Sequence, residues 1–69
     1  MDSNRPKLTP KEKEVLAFVM RAKTNKEIGK EMGIAPGTVK RHIEHLLRKL
    51  NARNRVQLVL YGIHMMSDG

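Results

Sequence analysis

Apolar side chains recur every three to four residues through most of this chain, which is the period of helices buried along one face. The clearest case is residues 35–50, which read APGTVKRHIEHLLRKL. Pro36 suits a first helical position, where its missing N–H costs nothing, and Asn51 suits a left-handed residue that ends a helix. We predict an amphipathic helix whose apolar arc consists of Val39, Ile43, Leu46, Leu47 and Leu50.

Two short polar motifs predict where the first and second helices begin. Residues 9–12 read TPKE and residues 24–27 read TNKE, and both have the form of a capping box. The first helix is expected to run to about Ala22, and the second to end near Met32, with Gly33 just past its end. The side chains expected to be buried in these helices are Val15, Leu16, Phe18, Val19, Ile28 and Met32.

A short connection separates the second helix from the third. It consists of Gly33, Ile34 and Ala35, and two helices joined by such a turn form a helix-turn-helix. Ile34 is expected to tuck inward as an anchor for the turn. Gly29 lies inside the second helix, where glycine costs about 1 kcal/mol relative to alanine. We expect the close approach of a neighbouring helix to explain it.

A fourth helix is expected to begin at Arg55, after Asn54 as its N-cap, and to end near Met66. Its sequence, RVQLVLYGIHMM, is apolar almost all round, and a helix of this kind usually buries more than one face. The residues expected to pack on the domain are Leu58, Val59 and Gly62. The residues expected to mediate dimerisation with a partner subunit are Val56, Leu60 and Ile63.

These elements predict an all-α fold, a four-helix bundle that contains a helix-turn-helix. The domain is expected to occupy residues 8–66, after a flexible linker or N-terminal tail at 1–7 and before a disordered tail at 67–69. A chain of 69 residues makes one small domain, and an apolar share of 39% supplies a modest core rather than a deep catalytic cavity.

The charge balance favours a polyanionic partner. The chain has 14 Lys and Arg residues against 7 Asp and Glu residues, a formal net charge of +7 and a pI of about 10.3. Nucleic acid is the first candidate, and a merely soluble basic surface is the alternative. One Phe, one Tyr and no Trp leave out the base-stacking platforms of many RNA and single-strand binders, which favours duplex DNA.

No motif in the chain indicates catalysis, so we expect neither an enzyme nor a bound cofactor. The chain has no cysteine, Gly-rich phosphate loop or nucleophile elbow. His42 and His45 have a spacing that can share a metal, but no third ligand is suitably placed, and we expect no metal site. No apolar run approaches the ~18 residues that span a bilayer. We expect a cytoplasmic protein without membrane contact.

Several motifs taken together resemble one family. They are LTPKEKEVL at 8–16, TNKEI at 24–28, TVKRH at 38–42, RKL at 48–50 and NR at 54–55. In this order and at this spacing, they are similar to the LuxR-type, GerE-like helix-turn-helix domain. That domain is the C-terminal effector domain of LuxR/NarL/FixJ response regulators and quorum-sensing activators. The resemblance covers nearly the whole predicted domain.

The resemblance implies a function in transcription. It implies the output domain of a bacterial transcriptional regulator of the response-regulator or quorum-sensing type, which binds duplex DNA sequence-specifically. The recognition helix, residues 36–50, is expected in the major groove, and the fourth helix is expected to form a homodimer on two half-sites. Such a protein is expected at the nucleoid. RNA polymerase and an N-terminal receiver or ligand-binding domain outside this sequence are further candidate partners.

The resemblance also assigns DNA contacts to individual residues. The base-edge residues are Lys40, Arg41 and Glu44. The phosphate-contacting residues are Asn25, Lys26, Thr38 and Lys49. Arg48 extends the basic face of the helix, and we add it to the phosphate contacts on that ground. Glu44 has two possible roles: its carboxylate can accept from cytosine N4, or it can pair within the helix with Lys40 or Arg48. We favour the intrahelical pair. Arg55 matches a near-constant arginine at the start of the fourth helix.

Three positions depart from the family pattern. Ala22 stands where these domains usually have glycine, so we expect a strained or differently shaped turn. Ala35 stands where serine or threonine usually caps the recognition helix, which costs about 1 kcal/mol. Glu44 is acidic where the family is often basic or polar.

Two other functions compete with this interpretation. A protein-interaction module would use the apolar fourth helix, and the basic face would then be incidental. A sigma-factor-like promoter reader also pairs a TV-containing recognition helix with a preceding EI helix. The apolar fourth helix that follows Asn54 and Arg55 argues against the sigma-like alternative.

Overall fold

The computed structural model describes residues 7–67, and within this range it contains four helices and no strand. The helices are α1 (Pro10–Met20), α2 (Asn25–Met32), α3 (Pro36–Lys49) and α4 (Arg55–Ser67). The all-α fold with a helix-turn-helix is therefore confirmed. The linker and tail predicted at 1–6 and 68–69 lie outside the described residues. Ser67 ends α4 instead of belonging to the tail.

The predicted N-terminal caps are present. At the start of α1, the Glu12 amide donates to Thr9 Oγ1 at 3.1 Å, and the Thr9 amide donates to Glu12 Oε1 at 2.8 Å. The capping box at the start of α2 has the same two distances. At the start of α4, Asn54 Oδ1 accepts from the Gln57 amide at 3.0 Å, and Gln57 Oε1 accepts from the Arg53 amide at 2.7 Å. These bonds satisfy backbone donors that have no partner within the helix.

Each of the first three helices ends next to a residue in the left-handed conformation. These residues are Ala22, Gly33 and Asn51, with φ values of 62°, 70° and 54°. After α1, the Lys23 amide donates to the Phe18 carbonyl at 3.1 Å, which is the long bond of a Schellman motif. The prediction that α1 runs to Ala22 was wrong, because this conformation ends the helix at Met20. Asn51 ends α3 as predicted.

Substituting Ala22 with glycine is expected to stabilise the domain by about 1 kcal/mol, because a left-handed L-residue brings its Cβ too close to the following carbonyl. Thermal unfolding should show a midpoint about 4–8 °C higher. The matched control is Gly33→Ala, which places a Cβ in the same conformation with no atom within 4 Å of it. It should lower the midpoint, so two shifts of the same sign would contradict this explanation.

The core draws side chains from all four helices. Ile28 of α2 and Leu46 of α3 are completely buried, and Leu58 of α4 is buried beside them. The helix α1 packs on α3 and α4, and α2 packs on α3. The buried residues are Val15, Leu16, Val19, Ile28, Val39, Ile43, Leu46, Leu50 and Leu58. Partly buried residues that pack against them include Phe18, Met32, Ile34, Leu47 and Val59, all predicted to face inward.

Gly29 is a point of close approach, but its neighbour is not the one predicted. A Cβ at this position would lie 2.6 Å from the Ile34 carbonyl oxygen and 3.4 Å from the Pro36 nitrogen. The backbone of the turn between α2 and α3 therefore occupies this space, rather than another helix. Gly62 is a second close contact, in which α4 lies against the Met20 side chain of α1.

One apolar face of α4 is largely exposed to solvent. Val56, Leu60 and Ile63 recur at the spacing of one helix face, and they are 68%, 60% and 51% exposed. Leu58 and Gly62 on the opposite side are buried, as predicted. In the part of the chain that the structure describes, no helix is long and apolar enough to cross a membrane.

Candidate nucleic-acid interface

The outer face of α3 presents its polar side chains to solvent. The burial of Val39, Ile43 and Leu46 fixes the rotation of the helix, so the opposite side must face outward. All the contact residues predicted on this helix are exposed, namely Thr38, Lys40, Arg41, Glu44, Arg48 and Lys49. Gly37 and His45 are exposed as well. The structure thus brings the base-edge residues together with the α3 phosphate residues on one surface, which we call the α3 basic face.

Glu44 is not neutralised within α3. The ion pair that we favoured, with Lys40 or Arg48, is absent. No charged partner lies within 4.0 Å of the Glu44 carboxylate among residues 7–67. Exposed pairs at this spacing contribute only about 0.3–0.5 kcal/mol, so solvation competes with them effectively. The carboxylate remains on the α3 basic face, and its alternative role as an acceptor for cytosine N4 stays a prediction.

The start of α3 lacks a side-chain cap. Ala35 occupies the N-cap position in an extended conformation, and no side chain accepts a hydrogen bond there. A Cβ on the neighbouring Gly37 would meet no atom within 4 Å, so the packing of the domain does not require this glycine. The first turn of α3 therefore stays open, with small residues and the exposed Thr38.

The start of α2 is tied to α4. Arg55 Nη1 donates to Asn25 Oδ1 at 2.8 Å, and Arg55 Nη2 donates to the Lys23 carbonyl. Asn25 is half-buried, while Lys26 beside it is exposed. The sequence reasoning placed Arg55 in the family pattern but missed this contact. The sequence did contain a signal for it. Arg55 is a cation at the start of α4, where the helix dipole disfavours positive charge, so a specific partner for its side chain could have been expected.

Lys49 is held by a residue 37 positions away. Its Nζ lies 2.9 Å from Glu12 Oε1, the oxygen that also accepts from the Thr9 amide. The Lys49 side chain is 34% exposed and that of Glu12 is 12% exposed. An ammonium group has three donors, so two remain for a phosphate. His45 and Arg48 line the same open depression as this pair.

The capping-box carboxylates titrate below their ordinary range. The hydrogen bond from the Thr9 backbone and then that from Lys49 lower the pKa of Glu12. The hydrogen bond from the Thr24 backbone, followed by that from the Thr24 hydroxyl, lowers the pKa of Glu27. Both groups therefore stabilise the folded state in their charged form, and this contribution is lost as pH falls through the folded-state pKa.

Substituting Glu12 with glutamine is expected to remove the ion pair to Lys49 and cost about 0.5–1 kcal/mol at pH 7. Glutamine still fits a capping box, so the cap itself should persist. Since the wild-type contribution disappears at low pH, the two proteins should converge in urea stability as pH falls from about 6 to 3.

Glu14→Gln is the matched control for this comparison. Glu14 is exposed on the same helix, and its side chain has no hydrogen bond or ion pair to residues 7–67. Its stability difference from wild type should stay small at every pH. A constant difference for Glu12→Gln across the same range would contradict the role of the ion pair.

Residues 7–67 contain no group of three or more His, Cys, Asp or Glu side chains that could hold a metal ion. His42 is half-buried at the edge of the apolar arc, and His45 is exposed.

Comparison with known proteins identifies this arrangement. A family model described as "Bacterial regulatory proteins, luxR family" matches residues 6–62. The chain is 46% identical over 55 residues to the transcriptional regulatory protein LiaR of Bacillus subtilis, which covers 80% of this chain and 26% of LiaR. It is 44% identical over 52 residues to DesR of the same organism, covering 75% of the chain and 26% of DesR.

A third relative comes from another organism. The chain is 40% identical over 53 residues to the putative HTH-type transcriptional regulator YhjB of Escherichia coli, covering 77% of the chain and 26% of YhjB. The chain thus spans about a quarter of the length of these curated relatives. No solved structure matches the chain.

Proposed function

Because this chain belongs to the luxR family of bacterial regulatory proteins, we propose that it binds duplex DNA sequence-specifically, as the output domain of a transcriptional regulator. Membership in a family of regulators agrees with the prediction that the chain is not an enzyme. The observation that carries the proposal is the orientation of α3. Its apolar side is buried in the core, and Lys40, Arg41 and Arg48 all lie on the exposed side.

In the proposed complex, α3 lies in the major groove. The groove of B-DNA is about 12 Å wide and admits one helix. Lys40 and Arg41 belong to the first two turns of α3, the part of a recognition helix that meets base edges. An arginine can grip guanine through two hydrogen bonds, and Glu44 can accept from cytosine N4.

Phosphate contacts would flank the groove-facing residues. Lys26 at the start of α2, and Thr38 and Arg48 on α3, are exposed and supported by rigid helices. Asn25 would contribute its carboxamide. Lys49 would reach a phosphate through the donors that Glu12 does not occupy. Such contacts set the position of the protein on the duplex and supply most of its salt dependence.

We propose that the exposed face of α4 forms a homodimer through Val56, Leu60 and Ile63. The three side chains make an apolar strip that ordinary surface helices do not carry. A two-fold dimer would place two copies of α3 on half-sites about 34–36 Å apart, one turn of the duplex. RNA polymerase and a receiver or ligand-binding domain remain partner predictions.

The proposal is tested by selecting bound sequences from random duplexes and then titrating the selected duplex at increasing salt. We expect an inverted repeat with half-sites about 10 base pairs apart, centre to centre. The plot of log affinity against log salt concentration should fall steeply, by about 0.9 for each phosphate neutralised. A scrambled duplex of the same length is the control. A flat salt response, or equal affinity for both duplexes, would exclude the proposal.

The protein-interaction module is the second candidate function, and the exposed α4 face favours it. Unlike DNA binding, this function does not require the cations of the α3 basic face. A module that works through α4 should keep its partner when the cations of α3 are removed, whereas DNA binding should be lost. The charge-reversal experiment in the Discussion separates the two.

A further inference from the structure

The contact between Arg55 and Asn25 joins α4 to α2, two helices whose main packing is with other helices. The principal contacts of α4 are with α1 and α3, while α2 packs on α3. Arg55, the first residue of α4, nevertheless reaches back across the domain to the first residue of α2. Its second nitrogen bonds to the carbonyl of Lys23, just before α2. The half-buried guanidinium thus fixes the start of the helix-turn-helix.

This contact determines which way the Asn25 carboxamide points. A guanidinium has donors only, so it can bond to the amide oxygen but not to the amide nitrogen. Asn25 Oδ1 is therefore directed at Arg55, and Nδ2 must point the other way. The Nδ2 donors have no acceptor among residues 7–67. Asn25 precedes the exposed Lys26, at the end of α2 proposed to meet DNA.

Arg55 makes no ion pair within the described chain. Its two partners are a neutral carboxamide and a backbone carbonyl, and within the described chain no carboxylate lies within 4.0 Å of it. A purely structural tie between two helices would not need an uncompensated cation at the N-terminus of α4, where the helix dipole opposes it.

We propose that Arg55 is a positioning residue for DNA binding, which holds the Asn25 carboxamide so that Nδ2 donates to a backbone phosphate. The proposal rests on the proposed duplex binding and adds a defined role for a residue that does not itself touch DNA. Without Arg55, the carboxamide turns freely. For part of the time it presents its oxygen to the phosphate, and two negatively polarised groups repel each other.

The test is a double-substitution cycle measured on the selected duplex, with Asn25→Ala, Arg55→Ala and both together. Asn25→Ala should bind about 10- to 100-fold more weakly, the range expected for one hydrogen bond to a charged group, and Arg55→Ala should lose part of this factor. The double variant should bind no more weakly than the weaker single variant, because both changes remove the same contact. Losses that multiply would show that the two residues act independently, and would overturn the proposal.

Salt dependence and phosphate scanning distinguish positioning from direct contact. If Arg55 itself neutralised a phosphate, Arg55→Ala would lower the salt slope by about 0.9, whereas loss of a neutral amide contact leaves the slope unchanged. Duplexes that carry one methylphosphonate, at each position in turn, should identify one phosphate that matters to Asn25. Its substitution should weaken duplex binding by the wild type but not by Asn25→Ala. A methylphosphonate at the same position should weaken binding by Arg55→Ala less than it weakens binding by the wild type. Different phosphates for the two variants would also overturn the proposal.

Arg55→Lys provides a variant that keeps the charge if Arg55→Ala does not fold. A lysine cannot bond to both oxygens with fork geometry, so it should recover the stability of the domain better than the affinity for DNA. The proposal would be contradicted if Arg55→Lys bound the selected duplex as tightly as the wild type and lost as much affinity on methylphosphonate substitution of the identified phosphate. If the wild-type protein itself shows no salt-dependent preference for the duplex, the proposed function fails, and that outcome is separate from the variants.

Discussion

Replacing Lys40 and Arg41 together with glutamate is expected to weaken duplex binding by at least about 100-fold while the domain stays folded. Each residue is assigned a base-edge contact, and contacts of this kind contribute about 1–3 kcal/mol each. The substitution also places two new negative charges in the groove of every protomer. Fluorescence anisotropy on the selected duplex at low salt measures the loss, and thermal unfolding checks the fold.

The fold should tolerate this change. The side chains of Lys40 and Arg41 are exposed and make no hydrogen bond or ion pair with residues 7–67. They lie in the second turn of α3, beyond the first turn in which the helix dipole acts, so glutamate is expected to change the unfolding temperature little. A variant that unfolds would therefore contradict the assigned positions as clearly as one that binds DNA normally.

The matched control carries the same change of charge outside the assigned DNA contacts. Lys13 of α1 and Arg21, the residue just after α1, are both exposed. Lys13→Glu with Arg21→Glu should weaken binding far less, because charges beyond about 10 Å are largely screened at 0.1 M salt. Equal losses in the two variants would indicate a net-charge effect without a specific interface.

The sequence predicted most reliably what local chemistry decides. The caps at Thr9, Thr24 and Asn54 involve partners three residues away, and all three formed as expected. The rotation of α3 followed from its apolar period alone. The end of α1 was placed two residues too late because the helical pattern continues past Met20, although the family comparison had indicated a strained turn at Ala22, whose φ is 62°.

The remaining features of the candidate site depend on tertiary packing. Lys49 meets Glu12 across 37 residues, and Arg55 meets Asn25 across 30, distances at which no periodic rule applies. The opposite error occurred at Glu44, where a local rule suggested an ion pair that solvation outcompetes. Gly29 lies between these cases, since its helix position revealed that a Cβ was not tolerated but not what fills the space.

Substituting Gly29 with alanine is expected to destabilise the domain by about 2–3 kcal/mol, although alanine is the better helix former by about 1 kcal/mol. The added Cβ would lie 2.6 Å from the Ile34 carbonyl oxygen, which belongs to the backbone and cannot rotate away as a side chain does. The Ile34 amide also donates to the Gly29 carbonyl at 2.9 Å, so the turn is held against this residue. Relief requires α2 and the turn to separate.

The expected result is a thermal midpoint lower by about 10 °C or more, a large share of the few kcal/mol that stabilise so small a domain. Gly37→Ala is the matched control, since it also adds a Cβ to a helical glycine but meets no atom within 4 Å. It should be as stable as the wild type or more so. A wild-type midpoint for Gly29→Ala would mean that the turn can shift at little cost. The angle between α2 and α3 would then not be fixed by this contact, and the phosphate and groove contacts would need another explanation for their relative placement.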